Sequence, residues 1–271
     1  MLTAALAVLG TPVHGTLFPY VWGSTLHALR ISLVFLTNVK TSGHRLSWGA
    51  HMFGFLFMCW GGTFACHLLL SLPPPQLYAP GPWINYSAVH LFLTLLFHYF
   101  PIVARPLHHK RRTLPSRRPP PCEQRLPGVI SPLKSVHQSP PRRFPLFHFI
   151  LGAAAASGGG LLGGTLNLST PNWHFSTPPP LRTGVWGVWS TLDIWAGGVV
   201  ASTYGFLTAH PAFQPLRASI GSPGISIREA RTVSAGLMIL FFGARVWLPP
   251  LLAARPAPPV VEKPSEKLKT Q

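Results

Sequence analysis

Two clusters of glycine lie in the middle of apolar stretches that are long enough to cross a membrane. The first cluster is Gly61-Gly62, within residues 48–72, and the second is Gly158-Gly159-Gly160, within residues 144–168. A glycine costs a helix interior about 1 kcal/mol relative to alanine. At membrane depth, such positions indicate either bent helices or very close helix contact. Because an interrupted helix is tolerated there only against protein or a water-filled cavity, these glycines are our first candidates for an ion pathway.

The composition argues against an ordinary soluble domain. Of the 271 residues, 47% are hydrophobic and only 10% are charged, whereas soluble domains carry roughly 25% charged residues. The formal net charge is +17, and the basic residues lie between the apolar stretches. This distribution favours loops that face anionic lipid headgroups, and we expect no nucleic-acid partner.

Six segments have the ~20 apolar residues that a transmembrane helix needs. They are residues 17–37, 48–72, 84–104, 144–168, 186–209 and 230–252. Proline runs at 73–75, 178–180 and 249–250 are predicted helix stops, because proline cannot continue a helix. We therefore predict an all-α integral membrane protein, a polytopic bundle of six or seven helices over residues 1–254. A disordered tail would follow at residues 255–271.

The stretch 105–143 decides between six and seven spans. It carries ten Lys/Arg residues, many prolines and one acid, which is typical of a disordered basic loop. Its middle, residues 126–137, is the alternative: a degenerate fourth span. With six spans, the positive-inside rule would place this loop in the cytoplasm and both termini on the other side. With seven spans, the C-terminus would be cytoplasmic, where its final Lys267-Leu-Lys-Thr-Gln resembles a dilysine retrieval signal of the endoplasmic reticulum.

The order of the spans indicates an internal repeat. Each half has a span, a short loop, a second span, a longer loop and a third span, and each half holds one glycine cluster. Inverted repeats with interrupted helices at matching positions recur in transporters and channels. If the fourth span exists, two inverted three-helix repeats precede a final helix, and each glycine helix is the second member of its repeat. This coincidence favours seven spans.

Three segments resemble helices of the trimeric intracellular cation (TRIC) channels. Residues 60–70, Trp-Gly-Gly-Thr-Phe-Ala-Cys-His-Leu-Leu-Leu, followed by Pro73, resemble the second helix of that family. Residues 87–101, which end in Phe-His-Tyr-Phe-Pro, are similar to the third helix, and residues 152–160 to the glycine-rich fifth. The resemblance extends over about 31–104 and 144–248. It implies seven helices, a homotrimer with one cation pathway per subunit, a lipid headgroup site and residence in the endoplasmic or sarcoplasmic reticulum.

The headgroup site that the resemblance implies is altered in this chain. The fourth helix of the family carries a Lys-Glu-Val-x-x-Arg-like motif that binds a phosphoinositide. The nearest match here is Lys134-Ser135-Val136, which lacks the glutamate, and the arginines follow late, at Arg142 and Arg143. Lys134, Arg142 and Arg143 are therefore the candidate headgroup ligands, and the missing glutamate argues against gating by lipid through this route.

Three charged residues lie within the predicted spans. Asp193 is the only acid inside a span, and Arg30 and Arg245 are the only basic residues deep in theirs. A buried charge in a membrane is usually paired, so we favour a structural ion pair of Asp193 with Arg30 or Arg245. A direct role in the ion path and snorkelling to the interface are the alternatives.

Enzyme, metal and cofactor chemistry are not indicated. The sequence has no carboxylate dyad within its spans, no Gly-x-Ser-x-Gly and no phosphate-binding glycine loop with its lysine. Histidines recur in or beside the spans, but no His-Glu-x-x-His or Cys-x-x-Cys is present, so packed or interfacial histidines are the better interpretation. We predict a channel for monovalent cations, potassium by resemblance, that supplies counter-ion flux across an intracellular membrane. The alternatives are a secondary transporter of a small solute and a non-conducting membrane scaffold.

Overall fold

The computed structural model describes residues 2–100, 144–182 and 191–253, with side chains described over 4–100, 144–182 and 191–244. This part of the chain is mostly helical, with one short β-hairpin near its start. The strands are β1 Pro12–His14 and β2 Phe18–Val21, which pair antiparallel. The helices are α1 Leu2–Leu9, α2 Trp22–Ser42, α3 Trp48–Leu69, α4 Pro80–Tyr99, α5 Pro145–Thr165, α6 Leu192–Leu207, α7 Gln214–Ile220 and α8 Ile227–Ala253.

Several predictions fall outside the described residues. They are the possible fourth span at 126–137, the headgroup ligands Lys134, Arg142 and Arg143, and the tail at 255–271. The first part of the predicted span 186–209 also lies outside, and its described part is helix α6.

The long helices lie close to the predicted spans, with two corrections. The span predicted from residue 17 was wrong at its start, because Phe18–Val21 forms a strand and the helix begins at Trp22. The ring of His14 holds the preceding turn, since its Nδ1 accepts a hydrogen bond from the N–H of Leu17 at 3.1 Å. The predicted stop at Pro249-Pro250 was also wrong, because α8 continues to Ala253. The two prolines lack backbone donors and crowd the carbonyls four residues earlier, which weakens the helix without ending it at once, and α8 ends within a turn of them.

Side-chain pairs give the directions of the first three long helices. Thr25 of α2 bonds to Asn85 of α4, and Ser32 bonds to His90, so α2 and α4 run parallel. In contrast, α3 is antiparallel to α4, because Trp60 contacts Trp83 while His51 contacts His90. We call the end of the bundle at the α2–α3 loop, residues 43–47, the first face, and the opposite end, at residues 70–79, the second face. Helix α4 therefore ends at the first face.

The later helices enter from the opposite end. Met58 of α3 lies against Gly159 of α5 and Gly62 against Ala155, so these two helices are antiparallel and α5 begins at the second face. Helix α6 returns antiparallel to α5, since Gly152 contacts Gly197 while Gly205 lies beside His148. Helix α8 then begins at the second face, where the N–H of Ile225 donates to the carbonyl of Leu207 at 3.0 Å. Consequently α4 ends and α5 begins at opposite faces.

Two of the described helices, α3 and α5, are long and apolar enough to cross a membrane by length and composition. Half of the apolar window of α3 is buried within the bundle, but only 33% of that of α5 is.

A capping box begins helix α8. The carboxylate of Glu229 accepts hydrogen bonds from the hydroxyl of Ser226 at 2.8 Å and from its backbone N–H at 3.0 Å. The N–H of Glu229 donates in return to the Ser226 hydroxyl at 3.3 Å. These bonds lower the pKa of Glu229, and the bond from the Ser226 hydroxyl has the larger effect. A carboxylate here also interacts favourably with the positive end of the helix dipole.

We predict that Glu229→Gln lowers the thermal stability of the detergent-solubilised protein at pH 7. A lowered pKa means that the ionised group stabilises the fold above the ordinary glutamate pKa of about 4.3 and loses this effect as the pH falls through the lowered value. The difference between variant and wild type, measured by thermal unfolding, should therefore shrink below about pH 4. Glu266→Gln, which changes the same group beyond α8, is the matched control. A difference that does not change with pH would contradict the assignment.

Candidate functional site within the helix bundle

Four glycines bring α3 and α5 into backbone contact. We call Gly61, Gly62, Gly158 and Gly159 the glycine seam. A Cβ atom added at Gly61 would lie 2.9 Å from the carbonyl oxygen of Gly158, and one at Gly62 would lie 2.5 Å from that of Ala155. Real Cβ atoms essentially never approach other atoms this closely. The seam therefore exists because these positions have no side chain, which is how small residues let membrane helices approach.

The seam has approximate two-fold symmetry. Gly61 and Gly158 are each the fourteenth residue of their helices, and Gly62 and Gly159 the fifteenth, so equivalent residue numbers differ by 97. The contact of Met58 with Gly159 is repeated by that of Gly62 with Ala155, whose numbers follow the same offset. The same offset relates His51 to His148, each the fourth residue of its helix. Because the helices are antiparallel, an inverted repeat would produce this relation.

The other predicted glycine, Gly160, does not belong to the seam. No atom outside its own helix lies within 4 Å of a Cβ built at this position. Both α3 and α5 continue through their glycines as single α-helices. In this structure the four seam glycines therefore serve close helix packing, and a role of Gly61, Gly62, Gly158, Gly159 and Gly160 in an ion pathway stays a prediction.

A second close contact joins α5 to α6, and the sequence reasoning missed it. A Cβ at Gly152 would collide with the carbonyl oxygen of Gly197, and a Cβ at Gly197 would lie 2.5 Å from the carbonyl oxygen of Gly152. A Cβ at Gly198 would lie 2.6 Å from the ring of Phe149. The signal was present in the run Ala196-Gly-Gly-Val-Val-Ala-Ser. Helix α5 thus packs by backbone approach on both sides and links α3 to α6.

Polar side chains line the interface of α2 and α4. Asn85 is almost fully buried; its amide donates to the Ser24 hydroxyl at 2.9 Å, and its carbonyl accepts from Thr25 at 3.2 Å. One residue further along α4, the hydroxyl of Tyr86 lies 3.2 Å from Nδ1 of His27. We call the hydrogen-bonded residues between α2 and α4, together with Ser32 and His90 below, the polar track. In an apolar environment such groups stay buried only when they find partners.

The polar track ends in a chain of one serine and two histidines. Nδ1 of His90 lies 2.6 Å from the hydroxyl of Ser32, and its Nε2 lies 3.1 Å from Nδ1 of His51 on α3. Ser32 and His90 have no exposed surface, whereas His51 is only partly buried. The ring of Phe55 stacks on His90 with centroids 3.9 Å apart, and Phe35 contacts both histidines edge-on. The hydrogen-bonded chain therefore ties the middle of α2 and of α4 to the first turn of α3, which lies near the first face.

The charged residues predicted to pair lie in different parts of the bundle. Arg30 lies in α2, close enough to Cys59 of α3 to act on it electrostatically. Asp193 lies in the first turn of α6, where a carboxylate is favoured by the helix dipole. Arg245 belongs to α8, which packs on α6, but its side chain lies outside the described ones. The proposed pairing of Asp193 with Arg30 or Arg245 stays a prediction.

Comparisons with known proteins do not assign this site. No protein-family model, no curated protein and no solved structure matches the chain. Among the described residues, no group of three or more His, Cys, Asp or Glu side chains could hold a metal ion. The function must therefore be argued from the packing and the polar groups themselves.

The seam gives a test with a built-in control. Gly159→Ala should destabilise the detergent-solubilised protein by about 1–3 kcal/mol, because its Cβ would overlap the carbonyl oxygen of Met58 and force two backbones apart. Gly160→Ala, one residue along the same helix, should be neutral or stabilising by up to about 1 kcal/mol, because it gains helix propensity and meets nothing. Chemical denaturation of both variants provides the comparison. Equal effects at the two positions would show that the seam is not closely packed in the protein.

Proposed function

We propose that this chain is a multi-pass membrane protein of the TRIC type, which conducts monovalent cations, potassium above all, across the endoplasmic reticulum membrane. In this proposal it assembles as a homotrimer, with one pathway per subunit between the glycine helices, and supplies counter-ion flux. The observation that carries the proposal is the two-fold glycine seam, because two equivalent glycine helices that meet antiparallel are what an inverted repeat would produce.

The distribution of polar and apolar side chains supports the membrane location. Large apolar side chains face outward on α4, α5 and α8: Phe92 is 62% exposed, Leu146 67% and Leu240 63%. Polar side chains such as Asn85, His90 and Ser32 face inward and are buried. A soluble protein of this size rarely leaves so much apolar surface in water, whereas lipid is its natural solvent.

The faces at which helices end support seven spans over six. In a bilayer, the chain leaves α4 on the side of the first face and enters α5 on the side of the second, so it changes sides between residues 100 and 144. The six-span arrangement requires Lys40, Arg45, Arg217 and Arg228 to share one side. Lys40 and Arg45 instead lie at the first face, and Arg217 and Arg228 at the second. The seven-span arrangement accommodates this difference.

A pathway at the seam requires motion, because α3 and α5 touch there in this structure. The glycines make sliding along the seam feasible, since no interlocking side chains have to repack there. The polar track beside them offers hydroxyl, amide and imidazole groups that could replace part of a hydration shell. The positive charge of Arg30, near Cys59, would repel an entering cation. Ion selectivity is therefore the property that most sharply tests the proposal.

The purified full-length chain in a planar bilayer should give unitary potassium currents. With a potassium chloride gradient, the reversal potential should lie towards the potassium equilibrium potential. Gly62→Ala, whose Cβ would press on Ala155, should change the open probability at least several-fold, while Gly160→Ala should not. Saturable flux without unitary currents would favour the secondary transporter, and absence of flux would favour the scaffold. Chloride selectivity would contradict the cation channel and would implicate Arg30.

Topology can be mapped with single cysteines in a variant that lacks the three native ones, Cys59, Cys66 and Cys122. His44→Cys lies exposed at the first face, and Tyr78→Cys and Ser219→Cys lie exposed at the second. An impermeant maleimide added to sealed microsomes should label His44→Cys, which is cytoplasmic in this proposal, and spare the other two. Labelling of Ser219→Cys together with His44→Cys would restore the six-span arrangement and remove most of the support for a TRIC-like protein.

A further inference from the structure

The hydrogen-bonded chain Ser32–His90–His51 has the chemistry of a proton-binding site. Nε2 of His90 and Nδ1 of His51 face each other at 3.1 Å, so one proton lies between the two rings. In one tautomeric arrangement His90 donates to His51, and the Ser32 hydroxyl donates to Nδ1 of His90. In the other, every bond is reversed, and Nε2 of His51 carries a lone pair. The second arrangement can accept a proton from outside, because His51 is the partly exposed member of the chain.

The surroundings of the chain oppose a positive charge. His90 has no exposed surface and is enclosed by the rings of Phe55 and Phe35. The other ionisable side chains on these three helices and on the loop between α2 and α3 are His27, Arg30 and Lys40 of α2, His44 and Arg45 of the loop, Cys59, Cys66 and His67 of α3, and Tyr86, His98 and Tyr99 of α4. None of them is a carboxylate, and the two described acids, Asp193 and Glu229, lie on α6 and α8. A proton added to the His90–His51 pair therefore creates a buried charge, and the helices that pack around the pair carry no counter-charge.

We propose that the Ser32–His90–His51 chain is a proton-binding site that controls the packing of α2 and α4 against α3. With both histidines neutral, the hydrogen bonds and the aromatic stack hold the three helices together. Protonation at Nε2 of His51 gives an imidazolium whose charge is shared along the bond to His90. The charge is stabilised best when the junction opens and admits water, so acid on the side of the first face favours the opened arrangement. The proton comes from bulk water and returns to it, and no other reactant is needed.

The direction in which stability changes with pH follows from the burial of the neutral rings. An imidazole that is buried neutral contributes stability that is present at neutral pH and is lost as the pH falls below the ordinary histidine pKa of about 6.5. The contact of α2 and α4 with α3 should therefore loosen between about pH 7 and pH 5. This inference concerns proton binding and packing and does not depend on ion conduction.

Thermal unfolding of the detergent-solubilised full chain between pH 7.5 and pH 5.0 tests the proposal. His90→Gln keeps a donor and an acceptor but cannot titrate, so it should lose at least half of the acid-induced fall in Tm. The exposed His98→Gln, two turns along α4, is the matched control and should keep the wild-type profile. His148→Gln removes a buried imidazole that contacts a second histidine, His210, and so separates the share of the pH dependence that this pair contributes. A wild-type profile in His90→Gln would overturn the proposal.

A second measurement serves if His90→Gln fails to fold. Nitrogen NMR of the wild-type chain with labelled histidine should show that the resonances of His51 and His90 titrate together, because a shared proton couples the two rings. His51→Gln should remove this coupling and leave the His98 titration unchanged. Independent titration of the two rings would overturn the proposal.

If the chain also conducts, acid on the first-face side should change the open probability in the wild type and not in His51→Gln. If the open probability of the wild type does not respond to acid while the two rings still titrate together, the site binds protons but does not gate conduction. If no current is found at all, the channel proposal fails and the proton site is unaffected.

Discussion

Backbone contact between α3 and α5 is the interaction on which the rest of the bundle depends. In the membrane setting that we propose, there is little hydrophobic driving force between helices, so van der Waals contact and hydrogen bonds must hold the helices together. The glycine seam maximises that contact, because Gly62 and Gly158 leave two helix backbones to meet directly. Helix α5 then repeats the arrangement on its other side through Gly152 and Gly197. The two halves of the chain are joined by α5, and a side chain at any of these positions would separate them.

Much of the helical framework could be predicted from the sequence. Apolar length located α3 and α5 within a few residues, because a long apolar run bounded by proline leaves few alternatives. The start of α2 was missed because Phe18–Val21 is as apolar as the helix that follows, and only the turn held by His14 marks it as a strand. The glycine clusters were located correctly, but their partners were not, because spacing along one helix does not identify the helix that packs against it.

The polar track illustrates the opposite difficulty. Ser32, His51 and His90 are far apart in the chain, and each alone is an ordinary residue of an apolar helix. The sequence cannot distinguish a packed histidine from a member of a proton-exchanging chain, because the difference lies in the partner that each ring nitrogen finds in the folded bundle. The parallel direction of α2 and α4 brings Ser24, Thr25 and Ser32 level with Asn85 and His90. That alignment is a property of the packed helices and could not be derived from composition or periodicity.

The two-fold relation of the seam does not extend to its surroundings, and this asymmetry bears on how the bundle can move. On one side, α6 lies against α5 through glycines and small residues, with no polar side chain between Gly152 and Gly197. On the other side, α2 and α4 meet through hydrogen-bonded side chains, with α3 attached to them through His51. Hydrogen bonds can be exchanged for bonds to water or to an ion at small net cost, whereas separating close-packed backbones loses dispersion contacts that nothing replaces. The half that contains α2, α3 and α4 is therefore where the bundle opens at the lowest free energy, and the α5–α6 pair is the rigid part against which it moves.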